Sequence, residues 1–304
     1  MVKYNTRKKS KIKKPIVWTL HDMWAFSGAE HLSYEERWRN GYSKDRNGIF
    51  FWDLNRFVWK QKKRHWKKSM HIVSPSSWMS DCVGKSPLMK NWPRKIIPNC
   101  LDTKFWKAFD KNYARKMLQL PLDKPLLCFG TFNENNAFHK GADLLNAALE
   151  KLENKIPELG IVTFGNANKN DILFEKFPTY NLGFIQDELL MRAVYSASDA
   201  IAVPSRNESF GQVASEAMAC SRPVVCFDSS GLKDIVDHKV NGYLAKSFDT
   251  SDFAMGILWL MDNEKSKLLS EAARNKVQRL FSENIVAQQY LDFYRDAIEV
   301  SQSE

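Results

Sequence analysis

Residues 200–227 read AIAVPSRNESFGQVASEAMACSRPVVCF, and this stretch decides the fold. The apolar residues 200–204 predict a strand, the small residues 211–220 predict a helix, and residues 223–227 predict a second strand. A strand, a glycine-containing loop, a helix and a strand in this order are typical of a parallel α/β sheet. Ligands of such sheets bind beyond the carboxyl ends of the strands, so we expect the loop around Gly211 to face a ligand.

Two carboxylates flank this loop. Glu208 precedes the glycine, and Glu216 is the only formally charged residue between Gly211 and Ser221. A carboxylate among small residues of a helix costs free energy unless a partner compensates it. Two carboxylates eight residues apart suit a ligand rich in hydroxyl groups. The alternative is a helix start whose acidic residues interact favourably with the helix dipole, and the pattern alone leaves both interpretations open.

A second candidate site begins at Gly130, where a polar loop leaves the predicted strand 125–129. The loop ends at His139, and Lys140 opens a predicted helix over residues 141–154. Loop amides, the positive end of a helix dipole and a lysine together suit a phosphate group. A lysine at a helix start opposes the dipole, which favours a functional role for it. The spacing matches neither GxxxxGK[ST] nor GxGxxG, so neither a P-loop nor a dinucleotide fingerprint is indicated.

Length and composition allow two globular domains and argue against a disordered, membrane-spanning or secreted protein. The 304 residues are 44% hydrophobic and 12% aromatic, which is enough for folded cores. No run approaches the ~18 apolar residues of a membrane span. No apolar segment follows the charged N-terminal residues, so the start does not resemble a secretory signal. The five cysteines show neither CxxC nor Cys/His ligand spacing, which indicates a reducing cytoplasm and no structural metal.

Positive charge is concentrated in the first third of the chain. Residues 1–100 contain 22 Lys and Arg against 7 Asp and Glu, a net charge of +15, whereas the remainder carries −5. Within this part, residues 52–68 predict a basic helix with Trp52, Trp59 and Trp66 at seven-residue spacing. Such a helix can lie on an anionic membrane surface or bind nucleic acid. The alternative is a solvated helix whose tryptophans belong to the core. Of the two ligands we expect the membrane and no nucleic acid.

His21 is a further candidate because it follows the predicted strand 15–20. A histidine at the carboxyl end of a strand lies where a site residue would be, although a lone histidine is more often structural. A polar connection over residues 101–124 predicts a domain boundary. Helices at the end of the chain are predicted over residues 250–262, 264–280 and 284–298.

Taken together, these motifs resemble family 4 retaining glycosyltransferases of the GT-B fold, over most of residues 15–298. The chain has no Asp-x-Asp sequence, which agrees with a metal-independent GT-B enzyme rather than a GT-A one. The Glu-x7-Glu motif followed by Ala-Met-Ala is the most specific of the matching features. The matching segments are Thr19–Trp24, Ser74–Trp78, Ile97–Asn99 with Asp102 and Phe105, Lys140-Gly141, Pro204-Ser205 and Glu208–Glu216.

The resemblance implies an α/β protein with two Rossmann-like domains, each with a parallel sheet, of which the N-terminal one is incomplete. In family members several strands precede the segment around His21, whereas here only a basic tail does, so we expect the first part of that domain to be absent. The loop 131–139 also lacks the arginine that the family usually has there. The expected divisions are a disordered tail 1–14, a partial N-terminal acceptor domain 15–110, a nucleotide-sugar-binding domain 111–282, and a helix 283–304 that packs back on the N-terminal domain.

The resemblance also implies roles for individual residues. Glu208 would contact hydroxyl groups of the donor sugar, Glu216 would contact the ribose hydroxyls, and Lys140 would neutralise the diphosphate leaving group. His21 would face the sugar from the N-terminal domain. No metal and no cofactor are implied, and the donor would be a UDP-, GDP- or ADP-sugar. The other donor-binding residues would be Gly130, Thr131, Ser209, Phe210 and Gly211.

The implied reaction moves this sugar to a lipid-linked or polysaccharide acceptor with retained anomeric configuration, at the cytoplasmic face of a membrane. Such retention is usually explained by front-face attack aided by the leaving phosphate, so the two-carboxylate mechanism of retaining hydrolases does not apply to Glu208 and Glu216. The first alternative is a truncated, non-catalytic nucleotide-sugar-binding remnant or subunit that needs a partner chain. A sugar-nucleotide epimerase of the same fold is a second alternative, which the Glu-x7-Glu context disfavours.

Overall fold

The computed structural model describes residues 12, 14–43, 53–131, 137–165, 176–262, 264 and 266–303. The chain divides into two compact units. The first combines Met1–Pro98 with Val286–Glu304, and the second comprises Asn99–Ile285. The predicted divisions lie at residues 110/111 and 282/283.

The first unit contains a parallel sheet of three short strands in the order β1-β2-β3. These are β1 (Val17–Thr19), β2 (His71–Ser74) and β3 (Arg94–Ile96). Its helices are a 3-10 turn at Arg37–Asn40, α1 (Leu54–His65) and α2 (Ser77–Lys85). Side chains cap both α-helices, since Asp53 accepts a hydrogen bond from the Arg56 amide and Ser76 accepts one from the Met79 amide.

Two tryptophans of the basic segment around α1 lie in the core. Trp59 and Trp66 are only 5% and 8% exposed, while Trp52 lies outside the described residues. Lys62 is also buried, and its ammonium group donates to the carbonyl oxygens of Trp24, Ser27 and Gly28. The interpretation that places these tryptophans in the core is therefore correct for the two that are described.

The second unit contains six parallel strands in the order β6-β5-β4-β7-β8-β9. The strands are β4 (Leu126–Thr131), β5 (Gly160–Gly165), β6 (Thr179–Asn181), β7 (Ala200–Val203), β8 (Val224–Phe227) and β9 (Gly242–Ala245). Its helices are α3 (Lys111–Met117), the single turn α4 (Ala137–Lys140), α5 (Ala142–Glu150), α6 (Glu188–Ala197), α7 (Gln212–Ala219), α8 (Leu232–Ile235), α9 (Thr250–Leu260) and α10 (Ser266–Leu280). The last helix, α11 (Glu283–Ser303), belongs to the first unit from Val286 onward.

Two apolar cores cover the two faces of this sheet. One contains residues of α6, α7 and α10, and the other contains residues of α5 and α9. The thiols of Cys128, Cys220 and Cys226 are buried in the first core. Burial raises the pKa of Cys128 and of Cys220 to about 12, so both thiols are neutral packing groups. The α/β class with parallel sheets is confirmed.

The predicted helices and strands in this paragraph are of the observed type, but their lengths differ from those in the structure. The helix expected over residues 141–154 is observed as Ala142–Glu150, and Lys140 ends the preceding turn α4 instead of opening that helix. The strand expected over residues 180–185 is confined to Thr179–Asn181. Among the described residues, no helix is both long enough and apolar enough to cross a membrane.

Candidate active site in the second unit

The strand order creates a crevice between β4 and β7. From β4 the chain proceeds to β5 and β6 on one side, and β7, β8 and β9 lie on the other. Strands β4 and β7 are paired neighbours, with Leu127 opposite Ala200 and Phe129 opposite Ala202. Such a reversal of strand order opens a crevice at the carboxyl ends of the two strands, where ligands of open α/β sheets bind.

Lys140 and Glu208 meet at this crevice. The Lys140 Nζ atom lies 2.7 Å from the Glu208 Oε1 atom, and their side chains are 27% and 17% exposed. The lysine ends α4, which follows β4, whereas the glutamate belongs to the loop between β7 and α7. Two residues that the sequence assigned to separate motifs therefore form one ion pair.

The backbone of Glu208 is fixed by the loop that follows β8. Its amide donates to Ser230 Oγ at 3.0 Å, and its carbonyl accepts from the Gly231 amide at 2.8 Å. A Cβ atom on Gly231 would lie 2.7 Å from the Ser209 carbonyl oxygen, so only glycine fits this position. The sequence indicated only a loop around Gly231, because nothing in its immediate neighbours shows which backbone it approaches.

Helix α7 begins immediately after this loop. Gly211 has φ +114° and precedes the first helical residue, and a Cβ atom there would lie 2.7 Å from Leu232 Cδ2. Phe210 is buried, with its ring 5.3 Å from that of Phe281. Ser209 is half-buried beside Glu208. The predicted donor-binding residues of this loop are thus held in one defined conformation at the positive end of the α7 dipole.

Glu216 lies on the second turn of α7. The hydroxyl of Tyr195, a fully buried residue of α6, donates to Glu216 Oε2 at 2.9 Å. Burial raises the pKa of the Glu216 carboxyl from its usual 4.5 to about 7, although hydrogen bonds from Tyr195 and Gln212 oppose the shift. The partner that a carboxylate in this helix required is therefore a tyrosine, and no sequence signal pointed to Tyr195.

Glycine also governs how the segment around Lys140 approaches β7. Gly141 has φ +70°, and a Cβ atom there would lie 2.1 Å from the Pro204 carbonyl oxygen. Gly130, within β4, faces the Phe164 ring, which a Cβ atom would approach to 2.5 Å. The backbone of Thr131 ends β4, while residues 132–136 of the predicted phosphate loop lie outside the described residues.

His21 belongs to the first unit, where it follows β1 and is exposed. The adjacent Asp22 carboxylate is 2.6 Å from the His31 Nδ1 atom, and the His31 carbonyl accepts from the Met23 amide at 2.9 Å. These contacts hold the turn after β1 in place. The predicted role of His21 toward a sugar stays a prediction.

Sequence comparison identifies the family. Residues 115–276, more than half of the chain, match the model of the family "Glycosyl transferases group 1". The D-inositol 3-phosphate glycosyltransferase of Corynebacterium kroppenstedtii is 38% identical over 222 residues, which are 67% of this chain and 48% of the relative. The enzyme of the same name from Xylanimonas cellulosilytica is 33% identical over 203 residues, 62% of this chain and 46% of the relative. The chain thus spans about half the length of these curated relatives.

Solved structures agree on the fold. Sucrose-phosphate synthase from Thermosynechococcus elongatus has a TM-score of 0.69 at 24% identity, with 86% of this chain and 66% of that chain covered. Anabaena HepE in complex with UDP-glucose has a TM-score of 0.70 at 19% identity, with 93% and 73% covered. These likenesses confirm the GT-B fold. The match of the family model to residues 115–276 shows that the chain belongs to the group 1 glycosyltransferases.

Proposed function

We propose that this protein transfers a sugar from a nucleoside diphosphate donor to a glycan or lipid-linked acceptor. The observation that carries the proposal is the Lys140–Glu208 pair at the β4/β7 crevice, with Glu216 on the adjoining helix. One cation and two carboxylates, held at the carboxyl edge of a parallel sheet, complement a diphosphate flanked by two polyhydroxylated rings. The relative crystallised with UDP-glucose supports a nucleotide-sugar donor.

Each charged group has a distinct task in this proposal. Glu216 accepts hydrogen bonds from the ribose hydroxyls, and Glu208 accepts hydrogen bonds from hydroxyls of the transferred sugar. Lys140 stabilises the diphosphate, whose negative charge grows as the bond to the sugar breaks. The amides of Ser209, Phe210 and Gly211 complete the sugar site at the N-terminus of α7. The proposed tasks of Gly130 and Thr131 are backbone contacts to the donor.

The proposed reaction retains the anomeric configuration and belongs to the family 4 type. The bond between the anomeric carbon and the diphosphate oxygen breaks, and a bond from the acceptor oxygen to the same carbon forms on the same face. The acceptor proton passes to the departing phosphate, so no protein nucleophile and no metal ion enter the scheme. The scheme also assigns His21 to the sugar, as the resemblance implies.

Transfer and binding assays test the proposal. The protein is incubated with radiolabelled UDP-, GDP- and ADP-sugars and membrane-lipid or glycan extracts, and calorimetry measures binding of UDP, GDP and ADP. Transfer with retained configuration is the expected result. Binding without transfer or donor hydrolysis would support the alternative, a nucleotide-sugar-binding subunit that needs a partner chain. The absence of both binding and transfer would contradict both functions.

We also infer a peripheral contact with an anionic membrane at the cytoplasmic face, through α1. While Trp59 is buried, this helix exposes Leu54 and Phe57, which are 54% and 46% exposed. They lie near the exposed cations Lys60, Lys63 and Arg64. Apolar side chains beside basic ones on a helix surface suit the interface of an anionic bilayer. The membrane that α1 contacts would then also carry a lipid-linked acceptor.

Vesicle co-sedimentation tests the membrane contact. The double variant K60E/R64E is compared with K104E/K116E, which makes the same charge change at exposed positions of the second unit. Binding to vesicles that contain phosphatidylserine should fall only in the α1 variant and should weaken with added salt. Equal losses of vesicle binding in the two variants would show that net charge alone causes the binding. Equal binding to neutral and anionic vesicles would show that the contact is not electrostatic.

A further inference from the structure

Arg206 connects the two segments that meet at the crevice. Its backbone amide donates to the His139 carbonyl at 2.9 Å, and its Nη1 atom donates to the Phe138 carbonyl at 2.6 Å. Both terminal nitrogens bind the Asp143 carboxylate, at 2.8 and 2.6 Å. The guanidinium carbon also lies 3.9 Å from the centre of the Phe138 ring. One side chain thus contacts both α4 and the first turn of α5.

These contacts lie next to Lys140 and Glu208 in the sequence. Arg206 is two residues before Glu208, in the loop that leaves β7. Its partners Phe138 and His139 directly precede Lys140, and Asp143 follows it by three residues. The contacts therefore flank Lys140 on both sides. They join the segment that follows β4 to the segment that follows β7 across the crevice.

Two hydrogen bonds make the contact between Arg206 and Asp143 directional, and partial burial of Arg206 strengthens it. A guanidinium that binds a carboxylate through two nitrogens fixes orientation as well as distance, which a lysine cannot do. Arg206 is 15% exposed at its side chain, so water screens this pair less than a fully exposed one. Consistently, the hydrogen bonds and charge of Arg206 hold the pKa of Asp143 below its usual range.

We propose that Arg206 is a positioning residue that sets where Lys140 and Glu208 stand relative to the diphosphate of the donor. This inference rests on the proposed function. When a diphosphate binds, Lys140 exchanges Glu208 for a phosphate oxygen, and the ion pair between them no longer holds the two segments together. The Arg206 contacts persist through this exchange, so the ammonium group keeps its place. Displacements of about 1 Å at a reacting centre cost on the order of 100-fold in rate.

A phosphate-increment experiment separates positioning from general stability. Calorimetry measures the affinities of UDP, GDP and ADP and of the three monophosphates, and the ratio of diphosphate to monophosphate affinity reports the Lys140 contact. We expect K140M and R206M to lower this ratio by about tenfold, which corresponds to about 1.4 kcal/mol. Monophosphate affinity should stay within twofold, and R206K should recover part of the ratio because it retains the charge.

The matched control is K276M. Lys276 in α10 pairs with Asp237 at 2.8 Å, and the two side chains are 8% and 50% exposed, close to the 15% and 57% of Arg206 and Asp143. This variant should leave the ratio unchanged while it lowers the thermal midpoint. D143N gives a second measurement if R206M fails to fold, since it retains the contacts of Arg206 with α4. We expect D143N to lower the ratio by less than R206M does.

The outcomes distinguish the inference from the function on which it rests. A folded R206M or D143N that retains the wild-type ratio, while K140M loses it, overturns the positioning role and leaves the proposed function intact. An equal loss in K276M also overturns it, because the effect would then follow from stability. If wild-type protein shows no diphosphate preference with any of the three nucleotides, the proposed function itself fails.

Discussion

The Lys140 ammonium and the Glu208 carboxylate neutralise each other across 2.7 Å. In the proposed mechanism a diphosphate competes with the carboxylate for Lys140, and the released carboxylate becomes available to the hydroxyls of the sugar. In this mechanism, binding of the diphosphate to Lys140 frees Glu208 to bind the sugar. The two side chains are 27% and 17% exposed, so solvent reaches the pair, and solvent-exposed ion pairs contribute about 0.2–1 kcal/mol.

The first prediction follows from that competition. Glu208→Gln removes the competing charge and should tighten diphosphate binding by up to about fivefold, while it lowers the rate of sugar transfer. Lys140→Met should weaken diphosphate binding and lower the transfer rate together. Calorimetry with UDP, GDP and ADP, combined with radiolabelled transfer, provides both quantities. Weaker binding in the Glu208 variant would contradict the exchange, because it would make the carboxylate a direct supporter of the diphosphate site.

The second prediction concerns pH. Glu216 has a pKa of about 7 in the folded protein, and its proposed hydrogen bonds from the ribose hydroxyls are strongest to the ionised form. Nucleotide binding should therefore be full above pH 7 and lost as pH falls through 7, with affinity about tenfold weaker at pH 6 than at pH 8. Glu216→Gln should remove this dependence. Because the terminal phosphate of the ligand also titrates near pH 6, the difference between wild type and variant is the quantity to measure.

How much of this site was visible in the sequence depends on the distance over which each interaction acts. The β7–α7–β8 segment was predictable because apolar runs and Gly211 punctuate it locally. Lys140 was identified from its expected place at the start of a helix, whereas the structure places it at the end of α4, where a cation does not oppose the dipole. Tyr195 was not identified, since it pairs with Glu216 across 21 residues without a pattern. The contacts of Arg206 were not predicted for the same reason, although Arg206 lies two residues before the Glu208–Glu216 motif.

Boundaries were less predictable than elements, for reasons visible at single residues. The strand expected over residues 180–185 stops at Asn181, whose side chain accepts a hydrogen bond from the Gly183 amide at 2.9 Å and forms a turn. The basic helix α1 illustrates a different limit. Its tryptophan spacing is equally compatible with a membrane-facing and a core-facing stripe, and only the packing of the unit distinguishes them.

The third prediction uses two glycines with nearly equal positive φ angles. Gly141 and Gly183 have φ values of +70° and +69°, but a Cβ atom at Gly141 would lie 2.1 Å from the Pro204 carbonyl, whereas one at Gly183 would meet nothing within 4 Å. Gly183→Ala should cost about 1–2 kcal/mol from the left-handed conformation alone. Gly141→Ala should cost clearly more. Urea unfolding gives both free energies, and equal losses would show that α5 shifts away from β7 without penalty.

The fourth prediction concerns the hydroxyl of Tyr195, which donates to Glu216 and stabilises its carboxylate form. Tyr195→Phe should raise the pKa of Glu216 further above 7, because burial then acts with less opposition. The midpoint of pH-dependent nucleotide binding should move to higher pH, and affinity at pH 9 should return toward that of wild type.

A tyrosine elsewhere in the same unit provides the control for this substitution. Tyr243 donates to the Asp252 carboxylate at 2.8 Å, so Tyr243→Phe removes the same kind of hydrogen bond from a different carboxylate. It should lower the free energy of unfolding by about 1 kcal/mol without moving the binding midpoint. A midpoint that moves equally in both variants would assign the pH dependence to the stability of the unit. A midpoint that moves only in Tyr195→Phe would assign it to Glu216, and hence place the ribose beside α7.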